Sequence, residues 1–300
     1  MIRDILTFPG DFQGKEEAAC RQLVGELSKE EREYFARRSY TYWYAVMTDE
    51  PLPEKTIIRI ARREALPIYR GKKHDYAKTL ASMRAIISFR KEYRLDLMRC
   101  CFSGDLSKFK LSLTEQKHVV QMEKMIETEL ERHPTFISGH DEEGHANLHR
   151  LVRRDPEVNE DEFVLGALYV AERALTSTEI LSKGTTHMIN CLFHQDGYKC
   201  SLAPPASAMK RVAKLLAQLY PGQCNSVFIL DAPLWARAAY NVISVLLPSD
   251  TRSKVRLTSG RSDKVQRYMP QVDLSNVNIK QTLYDVPFHC LYQSTVRVAQ

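Results

Sequence analysis

The chain has 300 residues, of which 44% are hydrophobic, and its formal net charge is +6. A chain of this length and composition can bury a large core in one large domain or two smaller ones, which excludes global disorder. The charge excess is too small to indicate a nucleic-acid partner, and we expect none.

Cysteine usage and the first residues give an expectation for the compartment. The seven cysteines are odd in number and show neither a CxxC pair nor the paired spacing of a metal site. The chain begins Met1-Ile2-Arg3-Asp4, without the long apolar run of a signal peptide. We therefore expect a cytoplasmic protein with reduced thiols and no cofactor, whose contact with membranes is peripheral.

The first half of the chain has the pattern of helices. Residues 1–50 are charged and partly helical in pattern, and they match no motif. Between residues 54 and 98 the pattern is helical throughout, and one helical face is formed by Tyr76, Leu80, Met83 and Ile87. A Ser112-x-x-Glu115 capping box predicts a further helix, which ends at His133-Pro134.

Basic residues are concentrated between Glu54 and Lys78, where eight Lys or Arg stand against three acidic residues. A solvated helical face would have this composition. The alternative is a surface that docks on anionic lipid, where each basic residue near the membrane contributes about 1 kcal/mol. The residues predicted to dock are Lys55, Arg59, Arg62, Arg63 and Lys73.

The second half alternates between helix and strand. A helix is predicted to start at Asn159 and run through the apolar segment 163–181, followed by a buried strand over 186–193. Pro204-Pro205 open the next helix, and a short strand covers 227–230. This alternation predicts an α/β layer with a mostly parallel sheet.

The segment from Leu234 to Leu247 is apolar almost all round. Its only polar residues, Arg237, Asn241 and Ser244, lie on one narrow stripe of a helix. A surface helix needs a wider polar face, and a membrane span needs about 20 apolar residues. The helix is therefore either an ordinary core helix or one that faces something apolar that is not protein.

The order of these segments resembles the CRAL-TRIO family of lipid-binding proteins, which includes the secretory phosphatidylinositol-transfer-like proteins, over roughly residues 66–260. The family's strand ending in "NAP" or "NEP", its mobile apolar gate helix and its T-x-S-K turn are similar to Asp231-Ala232-Pro233, residues 234–247 and Thr251-Arg252-Ser253-Lys254. Phe89-Arg90-Lys91-Glu92-Tyr93 is similar to the family's helical lobe, and Glu172-Arg173-Ala174-Leu175 to its "ERAL" helix.

The resemblance implies an α/β fold with an N-terminal helical lobe and a mostly parallel sheet, flanked by helices, that encloses an apolar lipid cavity. It implies a lobe over 51–133 and a lipid domain over 134–300, after an unmatched extension over 1–50. It also implies a lipid phosphate contact from Thr251, Lys254 and Lys72. The implied cavity and gate residues are Leu234, Trp235, Tyr240, Val242, Ile243, Leu246, Leu247, Ile189 and Cys191.

The function implied by the resemblance is the binding, transfer or presentation of one amphipathic lipid at membranes. A phosphoinositide is the first candidate ligand, and a sterol, a tocopherol-like lipid or a fatty ligand is an alternative. Inositol-binding members carry a glutamate after the Tyr-Pro that ends the preceding helix, whereas this chain has Gly222 there.

Two other classes of protein are alternatives. One is an interaction module with this fold that binds a protein partner, such as a small GTPase, without transporting lipid. The other is a metal-dependent hydrolase built on His140, His145 and His149, whose spacing is not that of HExxH. The motifs GxSxG, GxxxxGK[ST] and GxGxxG are absent from the sequence, and we do not expect an enzyme.

Overall fold

The structure is a computed structural model that describes residues 14–245, 252–260, 262–266 and 268. Its helices are α1 (Lys15–Gly25), α2 (Lys29–Ala36), α3 (Tyr40–Met47), α4 (Glu54–Gly71), α5 (Tyr76–Glu92), α6 (Leu95–Met98), α7 (Leu113–Arg132), α8 (Glu160–Leu181), α9 (Ala206–Leu219), α10 (Leu234–Ser244) and α11 (Asp263–Gln266). Its strands are β1 (Thr135–His140), β2 (Ala146–Arg150), β3 (Ile189–His194), β4 (Cys224–Leu230) and β5 (Val255–Thr258). The segment 282–288, a candidate closing strand in the sequence, lies outside the described residues.

The five strands form one sheet in the order β1-β2-β3-β4-β5. Strands β1 and β2 pair in antiparallel fashion, and the pairs β2–β3, β3–β4 and β4–β5 are parallel. The predicted mostly parallel α/β layer is confirmed. Helices α8, α9 and α10 connect consecutive parallel strands, from β2 to β5, and each strand is added on the same side of the previous one. Because such crossovers are right-handed, all three helices lie on one face of the sheet.

Local capping explains where the long helices begin. The Ser112 hydroxyl accepts from the Glu115 amide at 3.3 Å, and the Glu115 carboxylate accepts from the Ser112 amide at 2.8 Å. The Asn159 side chain accepts from the amides of Asp161 and Glu162 at the start of α8. Both caps were predicted from the sequence, since each satisfies backbone donors that a helix start leaves unpaired.

Within the described residues, most buried apolar side chains belong to two hydrophobic cores, and a smaller cluster lies under the sheet. The smaller of the two cores joins α1, α2, α4 and α5, with Phe35, Ile60 and Met83 at its centre. The larger one joins α3 and α6–α9 to the sheet, with Trp43 and Tyr169 fully buried. Of the described helices, none has the length and apolar character needed to cross a membrane.

Candidate ligand-binding site

The helix side of the sheet carries an apolar surface that the protein covers only in part. Strand register aligns Cys191, Val227 and Val255 in one row, and Phe193, Ile229 and Leu257 in the next. Because side chains alternate between faces along a strand, these six residues share one face. All six are half-buried. We call this surface the trough floor; it leaves apolar area available to an apolar ligand.

The opposite face of the same strands is closed. Leu192, Phe228 and Leu230 are buried there against Val265 and Tyr268. The ring centroids of Phe228 and Tyr268 lie 5.2 Å apart. The same strands are therefore covered on one face and only partly covered on the trough floor.

Helix α10 follows β4 and exposes apolar side chains. Leu234 is 84% exposed, and Val245, just past the helix end, is 66% exposed. Trp235 is half-buried and lies 5.1 Å from Tyr198, measured between ring centroids. An ordinary core helix would bury Leu234, so the exposure of this first residue does not fit that alternative.

Some of the other residues predicted for the gate and cavity are described by the structure, and the rest are not. Ile189 is buried and Cys191 half-buried on the trough side of β3, and burial raises the pKa of the Cys191 thiol. Tyr240 is half-buried in α10. The side chains of Val242 and Ile243, and the whole of Leu246, Leu247 and Thr251, lie outside the described residues.

The two lysines predicted to contact phosphate flank one segment, Pro221 to Cys224. Lys254 Nζ donates to the carbonyl oxygen of Cys224 at 2.8 Å. Lys72 follows the last residue of α4, Gly71, where a Cβ atom would lie 3.1 Å from the backbone nitrogen of Gly222. The structure therefore brings Lys72 and Lys254 to the same edge of the sheet, where the parallel strands begin.

This close approach gives a physical reason for the missing glutamate. Gly222 has a φ of 74°, and a Cβ atom built on it would overlap the carbonyl oxygen of Pro67. Any residue other than glycine would clash with α4 and strain the backbone. Position 222 therefore cannot carry a carboxylate without moving α4 away.

Acidic residues compensate much of the basic segment. Arg62 pairs with Glu17 at 2.7 Å, and Arg70 pairs with Glu16 at 2.7 Å. Arg63 is buried and donates to Glu179 at 2.9 Å, so the prediction that it docks on a membrane is wrong: its charge is committed inside the protein. Lys55 and Lys73 are exposed, and Arg59 is half-buried.

The three histidines considered for a metal site have separate partners. His140 Nε2 lies 2.9 Å from Ser177 Oγ, His145 Nδ1 lies 2.8 Å from Asp141 Oδ2, and His149 Nδ1 lies 3.2 Å from His194 Nε2. Burial lowers the pKa of His140 to about 4 and that of His149 to about 3. Across the described ranges, no group of three or more metal-ligating side chains is arranged to hold an ion.

Sequence reasoning did not single out Val227, Ile229, Val255 and Leu257 as cavity residues. Parallel strands are apolar on both faces, so the sequence gives no sign of which face stays uncovered. It also missed Arg150 and Phe193, which are paired across β2 and β3, and Tyr198, which contacts Trp235 of α10. Their proximity depends on strand register, which a single sequence does not reveal.

The α/β layer thus has a half-covered apolar sheet face next to a helix that begins with an exposed apolar residue. Residues 130–276 match the family model of the CRAL/TRIO domain, so the chain contains a domain of the CRAL/TRIO family of lipid-binding proteins. The predicted family and fold class are confirmed.

Two kinds of known protein are similar to this chain. A 128-residue segment is 27% identical to tyrosine-protein phosphatase non-receptor type 9 of Mus musculus and of Homo sapiens, and covers 42% of this chain. The match spans only 19% of those phosphatases. The crystal structure of Sfh5 superposes with a TM-score of 0.53 at 15% identity, over 78% of this chain and 80% of Sfh5, which is a likeness of fold.

Proposed function

We propose that this protein holds one amphipathic lipid between the trough floor and α10, and transfers or presents it at membranes. The observation that carries the proposal is the row of half-buried apolar residues across three adjacent strands, beside a helix whose Leu234 is 84% exposed. A two-chain lipid with about thirty methylenes requires apolar shelter worth on the order of 25 kcal/mol, at ~0.8 kcal/mol per methylene. A sheet face and an apolar helix together supply such shelter.

Exposed groups on two elements support a peripheral contact with membranes. Leu234 and Val245 present apolar side chains to solvent at the two ends of α10. Lys55 and Lys73 present exposed cations at the two ends of α4. Apolar insertion combined with attraction to anionic lipid is the usual means by which a protein without a membrane span binds a bilayer surface reversibly.

A phosphoinositide is the first ligand that we propose, with its phosphate near Lys254 and Lys72 and with Thr251 as a further contact. An ammonium group is a point-charge partner for phosphate, and both lysines flank the segment from Pro221 to Cys224. Since Gly222 cannot carry the carboxylate found in inositol-binding relatives, recognition here would depend on the phosphate more than on the inositol hydroxyls.

Transfer of labelled phosphatidylinositol between vesicles tests the proposal. The wild-type protein should transfer the lipid, and Ile229→Trp, which fills the trough floor, should abolish transfer. Leu113→Trp is the matched control, because Leu113 is 77% exposed at the start of α7 and its replacement should leave transfer unchanged. Absence of lipid uptake by wild type, together with specific binding of a protein partner, would favour an interaction module instead.

A further inference from the structure

Arg150 is a cation at the end of the trough floor that the proposed phosphate contacts do not include. It is the last residue of β2 and is paired with Phe193, in the row that continues through Ile229 and Leu257. It is half-buried, and its guanidinium lies 5.2 Å from the centre of the Phe163 ring. Lys254 precedes β5, so the two cations lie at diagonally opposite corners of the parallel part of the sheet.

The charge of Arg150 has no carboxylate partner of its own. Its Nε donates to His133 Nε2 at 3.0 Å, and its Nη2 lies 2.9 Å from His133 Nδ1. Burial and the cations of Arg150 and Arg153 keep the pKa of His133 well below 6.5, so this histidine is neutral. The nearby Glu129 pairs with Arg153 at 2.8 Å. In the part of the chain that the structure describes, no carboxylate lies within ion-pair distance of Arg150.

Arg150 stays charged at neutral pH. Burial lowers its pKa to about 10, which leaves the guanidinium protonated at pH 7. A charge that is partly removed from water is costly unless an opposite charge compensates it. A neutral imidazole accepts a hydrogen bond but carries no charge. The charge of Glu129 also acts on Arg150, but that carboxylate is paired with Arg153, so an anion of its own is the group that Arg150 lacks.

The same corner of the trough borders the contact between the sheet and α10. The charge of Arg150 acts on the Tyr198 hydroxyl, where it opposes the rise in pKa caused by burial. Tyr198 in turn packs against Trp235 in the first turn of α10. A group bound at Arg150 would therefore lie at the carboxyl end of β2, the edge of the sheet where α/β proteins commonly bind ligands.

We infer that Arg150 binds the anionic end of the lipid, a carboxylate or a phosphate, inside the trough beside Tyr198. This inference rests on the lipid trough of the proposed function, but it places the anion at Arg150 and not at Lys254 and Lys72. A guanidinium fork suits both anions, because each accepts two parallel hydrogen bonds. A lipid anchored at Arg150 would run in the opposite direction from one anchored at Lys254.

Paired lipids that differ only in charge test the assignment on the full chain. Affinities would be measured for oleate against oleyl alcohol, and for dioleoyl phosphatidate against dioleoylglycerol. Wild type should bind the acidic member of at least one pair about tenfold more tightly, the gain expected of a charge-assisted contact. The pair that shows the difference identifies the anion as carboxylate or phosphate.

Variants assign that difference to a residue. Arg150→Gln should remove the preference for the acidic lipid and leave the affinity for oleyl alcohol unchanged. Arg154→Gln, the same change at an exposed arginine four residues on, should behave as wild type. Arg150→Lys keeps the charge without the fork and should retain part of the preference.

The outcomes separate this inference from the proposed function. Equal wild-type affinities for charged and neutral lipids would overturn the role of Arg150 and leave lipid binding intact, and this comparison holds even if Arg150→Gln does not fold. Loss of the preference in Lys254→Gln but not in Arg150→Gln would also overturn it. Binding of none of the four lipids, together with no transfer of labelled phosphatidylinositol, would refute the proposed function itself.

Discussion

Arg90 Nη1 donates to Glu172 Oε1 at 2.7 Å, and this buried ion pair joins the helical lobe to the α/β layer. The same carboxylate accepts from Arg99 Nε at 2.5 Å and from the Tyr220 hydroxyl at 2.7 Å. Arg90 and Glu172 belong to the two separate motifs, 89–93 and 172–175, that are similar to the family's lobe and "ERAL" helix. The structure shows that the two motifs are in contact.

Replacement of Glu172 should destabilise the fold strongly. Although burial alone would raise its pKa, the cations of Arg90 and Arg99 hold it at about 2, so the group is ionised at neutral pH. Glu172→Gln would leave two buried guanidinium groups without their carboxylate and should lower the free energy of unfolding by about 3–5 kcal/mol. Urea unfolding measures this loss. Asp49→Asn, which breaks the exposed Lys110–Asp49 pair, is the control and should change stability little.

Removal of the acidic partners of α4 should strengthen membrane binding. Glu16 pairs with Arg70 and His74, and Glu17 pairs with Arg62. Glu16→Gln/Glu17→Gln would release these charges toward anionic lipid, so binding to phosphatidylserine vesicles should rise and should weaken with added salt. Glu142→Gln/Glu143→Gln removes the same charge from the β1–β2 hairpin and should have a smaller effect. If Glu16→Gln/Glu17→Gln bound vesicles no more strongly than wild type, this result would contradict a docking role for α4.

Tryptophan fluorescence should report contact between α10 and the bilayer. The protein has two tryptophans: Trp43 is fully buried in the larger core, whereas Trp235 is half-buried in α10. Vesicles with brominated acyl chains should therefore quench wild type but not Trp235→Phe. Leu234→Asp should reduce quenching, because it places a charge at the exposed end of the helix. Quenching that persists in Trp235→Phe would show that another part of the chain meets the membrane.

Stability should fall as the pH drops below 6.5. His140 in the folded protein stays neutral down to about pH 4, whereas in the unfolded chain it takes up a proton near 6.5, the ordinary pKa of histidine. Because the unfolded state binds more protons in this window, each such histidine lowers the free energy of unfolding by at most about 1.4 kcal/mol per pH unit. His149, with a folded pKa of about 3, acts in the same direction.

His140→Gln tests this assignment, because glutamine can keep a hydrogen bond to Ser177 without titrating. Between pH 4 and 6.5 the free energy of unfolding of the variant should fall less steeply with decreasing pH than that of wild type. The difference in slope should be at most that of one proton, about 1.4 kcal/mol per pH unit. Above pH 7.5 the two stability curves should run parallel. Equal slopes in the acidic window would show that His140 does not carry the depressed pKa.

Local signals in the sequence were enough to predict the main elements of the fold. The caps at Ser112 and Asn159 and the alternation of helix and strand after residue 159 gave the helices and strands to within a few residues. The strand predicted over 186–193 is β3 at Ile189–His194, and the one predicted over 227–230 starts earlier, at Cys224. Strand ends depend on pairing with neighbours, which the sequence does not specify.

The candidate site was predictable only in part. The apolar character of 234–247 indicated a helix that faces something other than protein, and the exposed Leu234 agrees with it. The prediction placed Arg63 at the surface because runs of basic residues usually lie there. Its buried partner Glu179 is 116 residues away in sequence, so local sequence could not reveal the pair. Arg150 was not predicted either, because its place in the trough depends on how β2 aligns with β3 and β4, which a single sequence does not reveal.

The lipid content of the purified protein tests the central claim most directly. Mass spectrometry of organic extracts should find close to one lipid molecule per chain in wild type, and none in Ile229→Trp, whose added ring would occupy the trough floor. Leu113→Trp should retain the lipid. Extracts of wild type without lipid, from a protein that also takes up none from vesicles, would contradict the claim that the trough under α10 is a lipid site.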